Sequence, residues 1–203
     1  MERLTHEGSA VGANVLSRNR RMTLRRAFSV AAVLVLAAGV VVGMSQPASA
    51  TLPLPLPVPS TCTIQTYNTG NFLTAVGGGG QTTDVIHSNA TWPSSWETFF
   101  LVDAGNGYVG IRTSNGNYLT AVGGGGRNTD VIHSNATALL DWEKFNLVPV
   151  GGWFGIQTID RHYLTAVSGG GRVTDVIHSD ATGLGAWELF RFSCVTETTG
   201  GGE

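Results

Sequence analysis

The chain has 203 residues, of which 28 are glycine, five are tryptophan, two are cysteine and 13% are charged. The low charge and the 42% apolar content exclude a disordered chain, since disorder requires low hydrophobicity with high net charge. Glycine is about twice as frequent as its usual ~7% but has no Gly-X-Y period, which excludes collagen. The length fits one domain with attached segments.

The first fifty residues have the features of a signal peptide. Arginines precede an apolar run at Ala27–Val42, and a small-residue cleavage pattern ends at Ala50. The run has about 16 residues, fewer than the ~20 that a membrane-spanning helix needs. We therefore expect a secreted, extracellular protein whose mature chain starts near Thr51. Arg25-Arg26 also resembles a twin-arginine signal, so the export route stays open.

Removal of this leader changes the net charge. Residues 1–50 contain six arginines and two glutamates, a net charge of +4. The remaining 153 residues contain six Lys or Arg and twelve Asp or Glu, a net charge of −6. Such a surface lacks the clustered basic residues that bind phosphate backbones, which argues against nucleic acid and anionic membranes as partners.

Two segments at the ends of the mature chain differ in composition from the rest. Proline alternates with apolar residues over residues 51–60, which predicts a stiff polyproline spacer. Residues 196–203 are rich in Thr, Gly and Glu, which predicts a flexible tail. These segments leave residues 61–195 as the folded domain.

A unit of about 45 residues occurs three times in this domain. Phe72–Thr91 returns nearly unchanged as Tyr118–Thr137 and Tyr163–Thr182, and each copy is followed by Trp-Glu-x-Phe. Apolar residues alternate with a period of two between turn residues, which predicts four short strands per copy and twelve in total. Propellers need at least four blades, so three copies predict an all-β protein with a β-trefoil fold. We expect a six-stranded barrel, three hairpins and pseudo-threefold symmetry.

The two cysteines fit this architecture. Cys62 begins the first predicted strand and Cys194 ends the last, and closure of a barrel brings those strands together. Export would place the pair in an oxidising compartment, so we expect a disulfide, with two free thiols as the alternative. Two cysteines cannot fill a tetrahedral zinc site.

The repeat motif is Gly-x-Tyr-Leu-x-Ala, a glycine hairpin and then Trp-Glu-x-Phe. It resembles the motif of the fascin-like (actin-crosslinking-like) β-trefoil superfamily, and the resemblance covers Ile64–Cys194. The Gln-x-Trp signature of ricin-type lectin trefoils is absent. Within the superfamily, the chain is similar to secreted bacterial carbohydrate-binding modules that recognise β-glucans with one site per repeat. The name-giving members bundle actin filaments, so the resemblance also leaves an actin- or protein-binding domain as the alternative.

Strand parity divides the end of each repeat into inward and outward positions. Phe99 and Leu101 are predicted to face the barrel interior, and Trp96 has the opposite parity and is expected to face solvent. An exposed indole can stack on a sugar ring, and the adjacent carboxylate of Glu97 can accept sugar hydroxyl protons. In the alternative, the tryptophan packs over the barrel end and the glutamate caps backbone N–H groups of a turn. The equivalent candidates are Trp142 and Glu143, and Trp187 and Glu188.

One histidine in each repeat is a further candidate contact at the rim of these sites. These are His87, His133 and His178. Threefold symmetry would spread them around the barrel, which argues against a shared metal site. Asp84 and His87 would face opposite sides of a strand, so they would make a poor pair of ligands. We expect each histidine to form local hydrogen bonds, and we expect no metal and no cofactor.

Glycine runs end the second predicted strand of each repeat. No helix pattern and no lysine follow them, so they do not match a phosphate-binding loop. We expect hairpin tips that need positive φ and that let a bulky polymer approach closely. The runs are Gly77–Gly80, Gly123–Gly126 and Gly169–Gly171.

The sequence also allows an enzyme. Asp84 and Glu97 could act as paired carboxylates in glycoside hydrolysis, and each repeat carries the same pair. Catalytic sites rarely occur in triplicate, whereas linked weak binding sites raise the apparent affinity for a polymer. The sequence therefore predicts a secreted, non-catalytic and monomeric module that binds a glucan-like polysaccharide or oligosaccharide through three similar sites.

Overall fold

A computed structural model of the chain describes residues 55–196. The predicted signal peptide, residues 51–54 and the tail after residue 196 lie outside the described residues. The described part contains twelve β-strands and six single 3₁₀ turns. None of its helices is long and apolar enough to cross a membrane. The strands are β1 (Ser60–Thr66), β2 (Phe72–Ala75), β3 (Ile86–Ala90), β4 (Thr98–Asp103), β5 (Val109–Arg112), β6 (Tyr118–Ala121), β7 (Ile132–Ala136), β8 (Lys144–Val150), β9 (Trp153–Gln157), β10 (Tyr163–Ala166), β11 (Ile177–Ala181) and β12 (Leu189–Thr196).

Six of these strands form a closed barrel. Antiparallel pairing runs from β1 to β4, β5, β8, β9 and β12, and β12 pairs again with β1. The other six strands form three hairpins, β2 with β3, β6 with β7, and β10 with β11. The predicted barrel with three hairpins is therefore confirmed.

The barrel interior follows from the period-two pattern of the sequence. In β1 every second side chain is buried, so that Ile64 is fully buried while its neighbours are partly exposed. Phe99 and Leu101 in β4 are fully buried, as predicted, and the equivalent residues in β8 and β12 are also buried. These are Phe145, Leu147, Phe190 and Phe192.

A disulfide bond joins the first and last barrel strands. Cys62 of β1 lies directly opposite Cys194 of β12, and the two are bonded across a sequence separation of 132 residues. The predicted disulfide is confirmed, and it fits an oxidising, extracellular environment. It covalently closes the barrel where the two ends of the domain meet.

The end of the proline-rich segment packs on the barrel. In residues 55–60 the partly buried apolar residues alternate with exposed prolines, and Leu56 and Val58 contact the hydrophobic core. Alternation in an extended chain places both apolar side chains on one side. This part of the predicted spacer is therefore attached to the domain rather than free.

The glycine runs differ from the expected hairpin tips. Their residues do adopt positive φ, as predicted, but Gly78 and Gly79 are buried in the chain that leaves β2. A methyl group added to Gly79 would lie 2.2 Å from Oγ1 of Thr113 in the next repeat. Gly125 lies as closely against Thr158, and Gly170 against Thr66. The buried glycines therefore admit a neighbouring repeat, and the approach of a polymer to the exposed ones stays a prediction.

Backbone hydrogen bonds beside these glycines connect the repeats in a ring. Gly80 N–H donates to Ser134 C=O at 2.7 Å, and Ser134 N–H donates to Gln81 C=O at 2.9 Å. The second repeat makes the same exchange with Ser179, and the third returns to Ser88 of the first. Each repeat thus completes the pairing of the next one, which fixes the threefold arrangement.

The substitution Gly79→Ala tests this contact. We expect it to destabilise the domain by about 2–5 kcal/mol, because it adds overpacking against Thr113 to the cost of a left-handed backbone. The control is Gly105→Ala, since Gly105 also has positive φ but has no atom within 4 Å of the added methyl group. It should cost only about 1–2 kcal/mol. Equal urea-unfolding free energies for the two variants would contradict the close contact between repeats.

Candidate functional site

Each candidate tryptophan lies in a short 3₁₀ turn that precedes a barrel strand. The first of these turns is Ser95–Glu97, immediately before β4. Trp96 exposes 47% of its surface, and the adjacent Glu97 exposes only 5%. Trp142 and Trp187 are exposed by 50% and 46%. The prediction that these tryptophans face solvent is confirmed, with about half of each indole exposed.

Glu97 is held inside the fold by hydrogen bonds to both carboxylate oxygens. Thr74 Oγ1 on β2 donates to Oε1 at 2.7 Å, and Ser94 donates to Oε2 through its backbone N–H at 2.8 Å and its hydroxyl at 2.6 Å. The carboxylate therefore caps the turn that carries Trp96 and ties it to the hairpin. Because the glutamate points inward, the preceding tryptophan projects outward.

The other two repeats have the same arrangement. Thr120 donates to Glu143 at 2.7 Å, and Thr165 donates to Glu188 at 2.8 Å. The second carboxylate oxygen accepts a backbone N–H, from Leu140 at 2.9 Å or from Gly185 at 2.7 Å. Only the first repeat adds a side-chain hydroxyl.

These contacts change the role expected for the glutamates. Both oxygens of Glu97, Glu143 and Glu188 accept hydrogen bonds within the protein, and Glu97 and Glu143 are buried as well, which leaves little of these carboxylates to accept a sugar hydroxyl. The geometry matches the alternative in which the carboxylate caps a turn. Glu97 and Glu143 are buried and Glu188 is partly buried, so the glutamates serve mainly to orient the tryptophans.

The environment of Glu97 also sets its acidity. Burial acts to raise the pKa of the carboxyl, but the hydrogen bonds from Ser94 and Thr74 stabilise the ionised form and outweigh burial. The pKa of Glu97 therefore lies below its ordinary value of 4.5. At neutral pH the carboxylate is ionised and remains an acceptor for all three donors.

The predicted histidines lie one strand away from these carboxylates. His87 on β3 pairs with Thr74 on β2, the residue that holds Glu97. The equivalent pairs are Thr120 with His133 and Thr165 with His178. The histidine side chains are about a quarter exposed, at 25%, 24% and 27%. The depression at Trp142 is lined by residues 139–144 and does not include His133.

The prediction that Asp84 and His87 face opposite sides was wrong. Asp84 precedes β3 with a left-handed φ of 51°, so it is not in strand geometry, and its carboxylate lies 2.7 Å from His87 Nε2. The same bond joins Asp130 to His133 and Asp175 to His178. The local hydrogen bonding expected for each histidine is confirmed. Within residues 55–196, no three His, Cys, Asp or Glu side chains are grouped to hold a metal ion.

Two depressions on the surface differ in their relation to the tryptophans. The larger, about 600 Å³, lies where the three hairpins meet and is lined by the same five positions of each repeat, 82–86, 128–132 and 173–177. It contains none of the tryptophans. The smaller, about 550 Å³, is lined by residues 139–144, which include Trp142.

The first repeat departs from the other two around its tryptophan. In the second repeat Leu139 packs over Gly110, where an added methyl group would lie 2.4 Å from Leu139 Cδ1. Leu184 packs over Gly155 in the same way. The first repeat has Pro93 and Thr63 at these positions, and it carries an additional tryptophan, Trp92, that is 83% exposed.

Comparison with known proteins gives structural matches only. No family model and no curated protein sequence matches the chain. The BEL β-trefoil is similar with a TM-score of 0.55 at 12% identity, over 71% of this chain and 99% of that chain. This match names the architecture. The fold is a β-trefoil.

Two further β-trefoil matches differ in what surrounds the shared domain. The structure of SeviL bound to asialo-GM1 saccharide has a TM-score of 0.51 at 13% identity, over 66% of this chain and 97% of that chain. An exo-β-1,3-galactanase from Clostridium thermocellum has a TM-score of 0.58 at 16% identity, over 70% of this chain but only 31% of the enzyme. At these identities the likeness shows the fold alone.

Sequence reasoning missed the threonines that hold the glutamates. Thr74, Thr120 and Thr165 are buried although they are polar, and each supplies the hydrogen bond that crosses from the hairpin to the turn. The signal was present, because each repeat reads Leu-Thr-Ala at this point. A polar residue that recurs between apolar residues in every repeat indicates a buried hydrogen-bond partner.

The substitution Glu97→Gln tests the buried carboxylate. Since the folded pKa of Glu97 is lowered, its ionised form contributes stability that is present above the unfolded pKa and is lost as pH falls through the folded value. We expect Glu97→Gln to be less stable than wild type at pH 7, and the difference should shrink below about pH 4. Urea unfolding across pH 3–7 measures this difference. A constant difference across that range would contradict the lowered pKa.

Proposed function

We propose that the domain is a secreted, non-catalytic module that binds glucan-like polysaccharide through three similar sites. Each site is centred on one tryptophan, Trp96, Trp142 or Trp187. The observation that carries the proposal is the half-exposed indole beside a glutamate that a hairpin threonine holds by a hydrogen bond, repeated three times. The fascin-like resemblance of the repeat motif and the saccharide named with SeviL support it.

The physics of the indole suits a sugar ring. A large flat apolar surface exposed to water gains free energy when it is covered, and the C–H face of a sugar ring can cover it. The indole N–H then remains available for a hydroxyl oxygen. A capping carboxylate restricts the turn that carries each tryptophan, so less conformational entropy is lost on binding.

Three sites on one domain favour a polymer over a monosaccharide. Shallow sites bind single sugars weakly, but binding at one site raises the effective concentration of a linked chain at the next. The closed ring of the barrel spaces the sites by threefold symmetry, since each tryptophan turn precedes one barrel strand of its own repeat. The proposal therefore predicts stronger retention on insoluble polysaccharide than on short oligosaccharides.

The remaining predicted site residues have supporting roles in this proposal. Glu97, Glu143 and Glu188 orient the tryptophans. His87, His133 and His178 contact the bound chain at the rim, and each is oriented by its aspartate at 2.7 Å. A histidine held in this way presents a fixed ring edge to a sugar hydroxyl.

Catalysis is not part of the proposal. Asp84 is exposed, but Glu97 is buried against Thr74 and Ser94, so the suggested pair does not present two accessible carboxylates to a glycosidic bond. The match to the galactanase covers only 31% of that enzyme. This coverage fits a domain that accompanies catalysis in some proteins without performing it.

The test is the retention of residues 51–203 on a panel of insoluble glucans. We expect single Trp→Ala changes at positions 96, 142 and 187 to weaken retention several-fold. The triple variant should weaken it by about a hundredfold or more, because the linked sites reinforce one another. Val195→Ala is the matched control, since Val195 is an exposed apolar residue that belongs to none of the three turns.

The outcomes separate the alternatives. The proposed sites would be contradicted if a folded triple variant were retained as well as wild type. They would also be contradicted if wild type were retained on no glycan. An increase in reducing ends on bound oligosaccharides would indicate an enzyme. Co-sedimentation with actin filaments would support the protein-binding alternative.

A further inference from the structure

A second type of surface cluster lies at the junction of the first and third repeats. Tyr67 follows β1, Trp153 begins β9, and Arg191 lies on β12 between them. The backbone N–H of Tyr67 donates to the carbonyl of Leu189 at 3.1 Å, which fixes the end of β1 beside β12. None of the three cluster residues belongs to the Trp-Glu turns.

The three side chains are in contact with one another. The rings of Tyr67 and Trp153 meet edge to face, with centroids 4.8 Å apart and an interplanar angle of 76°. The guanidinium carbon of Arg191 lies 5.9 Å from the centroid of Trp153, within the range of a cation–π contact. Tyr67 is 46% exposed and Arg191 is exposed as well, so the cluster faces water.

Each polar group of this cluster can donate a hydrogen bond and is left available to a ligand. Among the described residues, no side-chain hydrogen bond or ion pair engages the Tyr67 hydroxyl, the Trp153 indole N–H or the Arg191 guanidinium. Three of the other five Lys and Arg side chains of the domain form ion pairs, Arg127 with Asp130 at 3.6 Å, Lys144 with Asp141 at 2.7 Å and Arg172 with Asp175 at 3.5 Å. The cluster is thus an unneutralised positive group beside two aromatic rings.

This arrangement is not a product of the threefold repeat. The strand positions equivalent to Trp153 hold Thr61 and Tyr108, and those equivalent to Arg191 hold Phe100 and Asn146. The cluster therefore occurs once, although the barrel strands that carry it have equivalents in all three repeats. A surface feature that occurs once can bind a ligand group that the three repeated tryptophan sites do not recognise.

We propose that Tyr67, Trp153 and Arg191 form a site for an anionic saccharide unit, one that carries a carboxylate or a sulfate. The guanidinium pairs with the acidic group, and the aromatic rings cover the apolar face of the sugar. The hydroxyl and the indole N–H supply two further donors to ring oxygens. This site goes beyond the proposed glucan-binding function, because it selects for charge.

The net charge of the mature chain restricts where an anionic polymer can bind. Residues 51–203 carry twelve acidic and six basic side chains, so the domain as a whole repels an anionic polymer. Attraction of such a polymer must then come from a local contact. Arg191 supplies one beside surfaces that can also stack.

The position of the cluster allows one polymer chain to reach a tryptophan site as well. Leu189, two residues after Trp187, pairs with Gly155, and Arg191 is two residues further along the same face of β12. Residues two apart on a strand are about 7 Å from each other, close to the length of a sugar unit in an extended chain. Arg191 thus lies one such step beyond Leu189, which directly follows the turn that carries Trp187, so a polysaccharide of several sugar units stacked on Trp187 can extend along β12 toward Arg191.

The experiment compares two soluble cellulose derivatives, carboxymethylcellulose and the neutral hydroxyethylcellulose, by affinity electrophoresis of the mature chain. We expect wild type to bind the carboxylated polymer more tightly. Arg191→Gln should weaken that binding about tenfold, since a charge-assisted hydrogen bond is lost, and should leave binding to the neutral polymer unchanged. Trp153→Ala should weaken binding to the carboxylated polymer as well.

The matched control is Arg161→Gln, which removes the same charge from an exposed arginine outside the cluster. It should retain the wild-type preference for the carboxylated polymer. Equal losses in Arg161→Gln and Arg191→Gln, or no loss in a folded Arg191→Gln variant, would overturn the site. The triple tryptophan variant separates the two proposals. Loss of its binding to the neutral polymer tests the three tryptophan sites. A preference for the carboxylated polymer that remains in this variant tests the Arg191 site.

Discussion

The hydrogen-bonded carboxylate of each Trp-Glu pair is the interaction on which the candidate site depends. It joins a hairpin threonine to the backbone of the turn before a barrel strand, as Glu97 does with Thr74 and Ser94. An ionised group can be buried there only because several donors satisfy it. Its inward direction leaves the neighbouring indole on the outside. The exposed tryptophan is thus a consequence of a hydrogen-bond network inside the fold.

The sequence predicts the strands and the barrel well because both follow from local sequence patterns. The threefold repeat and the period-two alternation indicate twelve strands and place Phe99 inward. Trp96 is exposed as expected, but it lies in a 3₁₀ turn, and its outward direction follows from the inward glutamate rather than from strand parity. The misses arise where the backbone leaves regular geometry or where distant segments meet. Asp84 reaches His87 through a left-handed φ, and Gly79 is required by Thr113 of another repeat. Neither contact is visible in a local pattern.

Symmetry and its exceptions divide the surface into two kinds of position. The barrel and the hairpins recur three times because each repeat completes the pairing of the next, through bonds such as Gly80 to Ser134. Apart from the recurring tryptophans and Asp-His pairs, many outward positions carry no such constraint and differ between repeats. Trp92 occurs only in the first repeat, and the cluster of Tyr67, Trp153 and Arg191 only at the junction with the third. On the proposals above, the symmetric frame provides valency and the single features provide selectivity.

The most direct measurement of the central claim is an NMR titration of the five indole N–H groups with a neutral β-glucan oligosaccharide. Each tryptophan gives one such signal, so the sites report individually. The account predicts that the signals of Trp96, Trp142 and Trp187 shift together, while the signal of Trp153 stays in place. Shifts confined to Trp92 or Trp153, or shifts of backbone signals with all three site indoles unmoved, would contradict it.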